Sequence, residues 1–195
     1  MRLAVLGSTN GTDLEAIVSA IRGGALNASV EVIISNNKNS GILKKAKKHS
    51  ISSCYVSHKN KKRDVFDLEI SQILEEKKIG LVLLIGFMRI LSSSFIDRWA
   101  GKIINVHPSL LPKYAGGMNN SVHESVLLSG DKKTGCTIHL VTKEVDGGPV
   151  LLQLSCPVES GDSVEDLKKR VQELEGQAFI QVIKNWKKYE QQGLL

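Results

Sequence analysis

Short apolar runs alternate with stretches of helical period along this chain. Leu3-Ala4-Val5-Leu6-Gly7 is continuously apolar, the pattern of a strand buried on both faces. Ser8 to Gly11 read as a turn. Thr12 and Glu15 then have the spacing of a capping box with Thr12 as N-cap, and Leu14, Ile17, Val18 and Ile21 follow at helical spacing up to Gly23-Gly24. Residues 30–35 predict a second strand, 42–49 a lysine-rich helix and 52–56 a short third strand. Residues 63–77 carry Val65, Phe66, Leu68, Ile70, Ile73 and Leu74, which predicts a helix with a broad apolar face. Leu81-Val82-Leu83-Leu84-Ile85 is the most apolar run and predicts a central strand. Ser92 to Ser94 offer N-caps for a short helix through Phe95, Ile96 and Trp99. Residues 102–106 predict the next strand, which must stop near His107 because Pro108 cannot donate to a ladder.

The remainder is less regular. Residues 113–120 form a glycine-rich polar loop, and 121–128 a helix closed by Gly130. Residues 137–141 alternate polar and apolar, as a half-exposed strand does, and 150–154 predict another strand. Ser163 and Asp166 make a capping box for a last helix running to about Trp186. No repeat, low-complexity tract or linker interrupts residues 1–195, so the pattern predicts one domain. Strand–helix alternation predicts an α/β fold: a doubly wound, mostly parallel, Rossmann-like sheet, with an antiparallel strand in the C-terminal part. Ligands of such sheets bind beyond the carboxyl ends of the strands. Three unusual loops belong there, at 7–11, 86–91 and 105–112.

Composition narrows the function. The 195 residues are 42% hydrophobic, 24% charged and 5% aromatic, which is an ordinary globular balance. The net charge is +6, from runs such as Lys44, Lys45, Lys47, Lys48 and Lys59, Lys61, Lys62, Arg63. No aromatics interleave these runs as they would on a platform for stacked bases. They read as solvated helix faces that favour an anionic small molecule, with no nucleic acid and no membrane as partner. Cys54, Cys136 and Cys156 are far apart, so no metal site is signalled. An odd cysteine count and a brief apolar N-terminus predict reduced thiols and a cytoplasmic location.

Candidate chemistry lies in Asn105 and His107. Two apart on an extended chain, they point to one face, with an amide donor beside a group that titrates near neutrality. At a strand's carboxyl end they can hold a developing oxyanion, or simply satisfy backbone groups at a loop. Asp146-Gly147-Gly148 is a charged group or an Asx turn. The turn before Thr12 can hold a phosphate on helix N–H groups or serve as a tight turn, and it matches neither common glycine-rich phosphate motif.

Three strings together resemble the folate-dependent formyltransferases: Gly86-Phe87-Met88-Arg89-Ile90-Leu91, Asn105-Val106-His107-Pro108-Ser109-Leu110-Leu111-Pro112 and Val145-Asp146-Gly147-Gly148. The resemblance spans nearly the whole chain and is nearest to the members that formylate glycinamide ribonucleotide in purine synthesis. It implies 10-formyltetrahydrofolate as donor substrate, a phosphoribosyl amine as acceptor, no metal, and a monomer or homodimer. By resemblance Asn105, His107 and Asp146 are the catalytic set. Gly11, Thr12 and Asp13 line the phosphate, with Gln172 and Glu175 toward the ribose. Met88, Arg89, Ile90, Leu91, Asn105, Thr142, Lys143, Glu144, Val145 and Asp146 wall the folate pocket, with Arg63 nearby.

Three features depart from the family pattern, all near the acceptor side. The phosphate loop reads Ser8-Thr9-Asn10-Gly11-Thr12-Asp13 where Ser-Gly-x-Gly-Ser-Asn is usual, so Asp13 replaces a neutral amide. The loop after Tyr114 is lengthened, and Gly176 stands where a His commonly follows Glu175. A carboxylate facing a phosphate repels it, so Asp13, in the helix's first turn, is expected to face solvent. The alternatives are a different amine acceptor, hydrolysis of the formyl donor, or a non-catalytic nucleotide-binding module.

Overall fold

Alternation along the strands sorts the apolar side chains into two cores, one on each face of a sheet. The computed structural model describes residues 1–117 and 121–194. The chain order is β1 (Arg2–Leu6), α1 (Asp13–Arg22), β2 (Ser29–Ser35), α2 (Gly41–Lys48), β3 (Ser53–Tyr55), α3 (Arg63–Glu76) and β4 (Leu81–Leu84). It continues with α4 (Ser93–Arg98), β5 (Ile103–His107), α5 (Ser121–Leu128), β6 (Lys133–Leu140), β7 (Val150–Pro157), α6 (Val164–Lys184) and α7 (Trp186–Gln191). Leu3, Val5, Ile33, Leu83 and Ile104 pack on one face against Leu14 and Ile17 of α1, Ile42 of α2 and Val171, Phe179 and Val182 of α6. Ala4, Leu6, Ile34, Leu84 and Ile103 pack on the other against Phe66, Ile70 and Leu74 of α3 and Phe95, Ile96 and Trp99 around α4.

Among the described residues the strands form a seven-stranded sheet in the order β3-β2-β1-β4-β5-β6-β7. The pairs from β3 through β5 are parallel, and β6 and β7 add as antiparallel neighbours. This is the doubly wound, mostly parallel sheet that the alternation predicts. The strand order reverses between β1 and β4, which opens the crevice where such sheets bind ligands. One hydroxyl ties the two loops leaving these strands. Ser8 Oγ accepts from Met88 N at 2.8 Å and donates to Asn36 Oδ1 at 2.6 Å.

Local expectations fare unevenly. Ser163 and Asp166 make the capping box of α6, and Ser92 Oγ caps α4 by accepting from Phe95 N at 3.3 Å. Thr12 does not cap α1: its backbone is already helical and its side chain makes no cap bond. Glu15 turns instead to the end of α2, reaching His49 Nε2 at 2.7 Å and Lys48 Nζ at 3.3 Å. β6 starts at Lys133, well before residue 137, and is buried rather than half exposed. Its polar positions find internal partners. Thr137 Oγ1 donates to Ser109 O at 2.7 Å and accepts from Leu111 N at 3.0 Å. β7 likewise runs on to Pro157, and the last helix breaks at Asn185 into α6 and α7.

The antiparallel hairpin packs so closely that a methyl group does not fit at Gly135. A Cβ there would lie 1.9 Å from Leu154 O and 2.7 Å from Ser155 Cα, which are backbone atoms of the paired strand. Gly135→Ala should therefore lower stability by roughly 1–3 kcal/mol, as overpacking does. Urea titration checks this, with the midpoint falling at an unchanged slope.

Candidate active site

The loops beyond β1, β4 and β5 open on one cavity of about 570 Å³, within the range of small-molecule sites. Its two ends lie over opposite faces of the sheet. Gly11, Thr12 and Asp13 at the start of α1, with Lys168, Gln172 and Glu175 of α6, line the end over the α1/α6 core. Met88, Arg89, Ile90, Leu91 and Ile96, with the 141–146 segment, line the end over the α3/α4 core. Leu91 is buried in that core, whereas Ile90 and Val145 are 52% and 53% exposed and give the rim apolar surface. Arg89 also lines this end, its guanidinium 4.9 Å above the Phe66 ring.

Asn105 and His107 share a face of β5 and project into the cavity between these ends. Asp146 reaches them because the chain doubles back on β6 at Asp146-Gly147-Gly148. Asp146 takes a left-handed φ of 54°, and a Cβ on Gly148 would lie 1.8 Å from Leu140 O. That approach admits glycine alone. Asp146 Oδ2 then lies 3.2 Å from His107 Nδ1 and accepts from Gly116 N at 2.9 Å. The other ring nitrogen, His107 Nε2, lies 3.0 Å from Tyr114 O. Both nitrogens of this buried ring thus face oxygen acceptors, and the doubly protonated imidazolium satisfies both. Burial by itself raises the Asp146 carboxyl, but hydrogen bonds from His107 and Gly116 outweigh it. They hold the group well below the usual carboxylate range.

His139, which the sequence reading passed over as an ordinary strand residue, lies opposite Asn105 in the β5/β6 register. Its Nδ1 is 2.9 Å from Leu140 O and must donate there. That leaves Nε2 as the acceptor for Asn105 Nδ2 at 3.2 Å, while its 3.6 Å separation from Asp146 Oδ1 is too long for a good hydrogen bond. One Asn105 amide hydrogen is held this way and the second stays available. A polar residue inside an otherwise apolar strand was the signal for His139. Tyr114 was also missed, since it contributes a main-chain carbonyl. Its side chain is anchored by Asp131 Oδ2 at 2.6 Å.

At the α1/α6 end the expectation for Asp13 is overturned. Asp13 is 4% exposed, not solvent-facing, and sits against the equally buried Glu175. The physical reason is α6, which covers the first turn of α1. Burial pushes Asp13 up to about 7, against the partial relief of the Glu175 hydrogen bond and the Lys45 charge. Burial and the neighbouring Asp13 push Glu175 well above its ordinary value. Arg63 is not brought to the cavity with the other residues expected at the donor end. It begins α3 on the exposed side and is absent from the cavity walls, because α3 turns Phe66 and Ile70 to the sheet instead. Thr142, Lys143, Glu144 and Val145 do line the cavity. His123 of α5 lines it as well, with an unpartnered buried Nδ1; burial and then Lys168 push this ring down to about 4. The lengthened loop falls partly on residues 118–120, outside the described residues. Among the described residues no cluster of three or more His, Cys, Asp or Glu is placed to hold a metal, and no helix is long and apolar enough to cross a membrane.

Residues 1–183 match the family described as Formyl transferase. The phosphoribosylglycinamide formyltransferase of Escherichia coli (strain K12) is 38% identical over 184 residues, covering 94% of this chain and 85% of that protein. The trifunctional purine biosynthetic protein adenosine-3 of Gallus gallus is 41% identical over 180 residues, which cover 92% of this chain but 18% of that protein. The chain thus spans under a fifth of the length of this trifunctional relative. Glycinamide ribonucleotide transformylase 1 of Symbiobacterium toebii superposes with a TM-score of 0.91 at 33% identity, covering 95% of this chain and 87% of that one.

The buried Asp13 makes stability depend on pH with a definite sign. Its folded value of about 7 lies above the 3.8 of a free Asp, so the unfolded chain ionises first. Burying it costs nothing below pH 4, and the cost grows up to about pH 7 and then levels off. Asp13→Asn should therefore melt above the wild type at pH 8, the gap closing as pH falls toward 4. Thermal melts across that range check this.

Proposed function

Because the chain belongs to the formyl transferase family, we propose that it moves the formyl group of 10-formyltetrahydrofolate onto the amine of phosphoribosylglycinamide, a step of purine biosynthesis. The observation that carries this reading is the His107 ring held between Asp146 and Tyr114 O, with Asn105 beside it, at the middle of a two-ended cavity. The end walled by Met88, Arg89, Ile90 and Leu91, with Thr142, Lys143, Glu144 and Val145, receives the pteridine of the donor. The end at Gly11, Thr12 and Asp13, with Gln172 and Glu175, receives the phosphoribosyl part of the acceptor. The small-molecule substrates suit a single cytoplasmic domain.

The amine lone pair attacks the formyl carbon, and the carbonyl π pair moves onto oxygen. Asn105 uses its free amide hydrogen to stabilise that oxyanion, and His107 supplies a charge-assisted second donor. Asp146 holds Nδ1–H, so Nε2–H is the bond that turns from Tyr114 O to the substrate. The attacking nitrogen gives its surplus proton to water. The tetrahedral centre collapses, the bond to the folate nitrogen breaks, and His107 protonates that nitrogen. His107 regains a proton from solvent.

His107→Ala should cut turnover by roughly a hundred- to a thousandfold while the donor still binds, because the loss falls on the transition state. Steady-state kinetics with donor titration checks this, and a variant keeping more than about a tenth of wild-type turnover would contradict it. Asp146→Asn should bring the alkaline fall in turnover to lower pH. Without the carboxylate the imidazolium gives up its proton earlier, and no acid limb is gained because Asp146 is ionised throughout the working range. The pH profile of turnover in both proteins, read beside a proton NMR titration of the His107 ring, decides it. Tetrahydrofolate release that does not require phosphoribosylglycinamide would point instead to another amine or to water as acceptor.

A further inference from the structure

Asp13 and Glu175 take no part in the formyl chemistry, yet the fold brings their carboxyls together and buries them. A contact one turn along makes this possible. Gly176 packs against α1 so closely that a Cβ there would lie 2.7 Å from Ala16 Cβ. Asp13 precedes Ala16 by one helical turn and Glu175 directly precedes Gly176, so the same approach closes the two acids on each other. Two of the chain's departures from its family pattern, Asp13 and Gly176, are thus one structural arrangement.

The surroundings do not neutralise two negative charges. Two cations line this end and both are already engaged: Lys45 of α2, whose Nζ donates to Gly11 O at 3.1 Å, and Lys168 of α6, which pairs with Glu165 at 3.3 Å. Cys136 of β6 faces it as a neutral thiol, pushed up to about 12 by burial and then by Glu175 and Asp13. Gln172 on α6 and Thr12 before α1 bring no charge. Asp13 Oδ1 is buried without a partner. Two bare carboxylates cannot hydrogen-bond to each other, so at least one proton sits between them.

We propose that Asp13 and Glu175 are specificity residues acting as one proton-sharing unit, and that the acceptor's phosphate binds at this end with uptake of a proton by that unit. The inference rests on the reading that places the acceptor's phosphate at the start of α1. A carboxylate beside a phosphate repels it, whereas a protonated carboxyl presents an O–H donor to it. Proton uptake therefore turns the unfavourable partner into a favourable one. A bound anion disfavours the carboxylate form, so binding and protonation support each other. Burial pushes Asp13 up to about 7 without ligand, which gives the sign and the expected window. Below that pH the unit is already protonated and acceptor affinity is flat. Above it affinity falls by up to about tenfold per pH unit, the signature of one linked proton. Donor affinity, set at the other end of the cavity, does not follow.

Calorimetry with ribose 5-phosphate tests this without any formyl transfer. Titrations at pH 8 in two buffers of different ionisation heat report the protons exchanged, at a pH where free phosphate, with its second pKa of about 6, is already dianionic. The expected result is uptake approaching one proton by the wild type and much less by Asp13→Asn. Binding without proton uptake overturns the proposal, as does absence of binding or full uptake retained in Asp13→Asn. In parallel, the KM for phosphoribosylglycinamide between pH 6 and 9 should rise steeply above pH 7 in the wild type and shallowly in Asp13→Asn, with the donor KM parallel in both. Failure to formylate phosphoribosylglycinamide at pH 6.5 would count against the proposed function alone, because the calorimetric result is decided separately.

Discussion

The buried charge of Asp146 is the constraint to which the centre of this protein answers. A half-buried carboxylate loses water and must be compensated by donors and positive charge. Here the compensation is His107 and the Gly116 N–H on one oxygen, while His139 nearby holds Asn105. Each of those contacts requires something of the fold. The turn at 146–148 must press its backbone against Leu140, β6 must bring His139 opposite Asn105, and residues 114–116 must lie across the end of β5. In return the carboxylate fixes an imidazole at the tip of β5, with Nδ1 held by Asp146 and Nε2 turned to Tyr114 O.

The same cavity treats its acidic groups in opposite ways. Asp146 meets hydrogen-bond donors and stays ionised far into acid. Asp13 and Glu175 meet mainly each other, so burial prevails and both are pushed up. Side-chain type does not separate these cases, since two of the three are aspartates. What separates them is whether the adjoining element supplies donors, as β5 and the 114–116 loop do, or a second acid, as α6 does.

The sheet was largely readable because buried parallel strands announce themselves as unbroken apolar runs, and β1, β2, β4 and β5 do so. β6 was not readable in full. Its Thr137 and His139 alternate with apolar residues and look solvent-facing, but their partners come from residues 109–111 and from Asn105, which no local pattern shows. Asn105, His107 and Asp146 could be named together because they lie in distinctive strings, and the structure brings all three together. Asp13 was misjudged for a converse reason: nothing near it in sequence foretells that α6, from the far end of the chain, will cover it. Thr12 and Glu15 had the spacing of a cap, yet charge pairing with His49 and Lys48 claimed the glutamate first. Arg63 rested on resemblance without local support, and its helix turns it outward.

The register irregularity of β6 lies on one side only. Against β5 the pairing is regular from Ile104↔Leu140 to His107↔Thr137, while the pairing with β7 slips between Ile138 and His139. In a strand a slip of one residue sends every later side chain to the opposite face. The bulge confines that error to the outer partner, so β5 never experiences it. Evolution can therefore lengthen, shorten or reshape the outer strand β7 with little penalty to the site, provided the 141–149 connection still delivers Asp146 to His107. One residue gained or lost within β6 ahead of His139, by contrast, would turn its imidazole away from Asn105. The edge of this sheet is a place where sequence can drift, and its next strand inward is a place where length cannot.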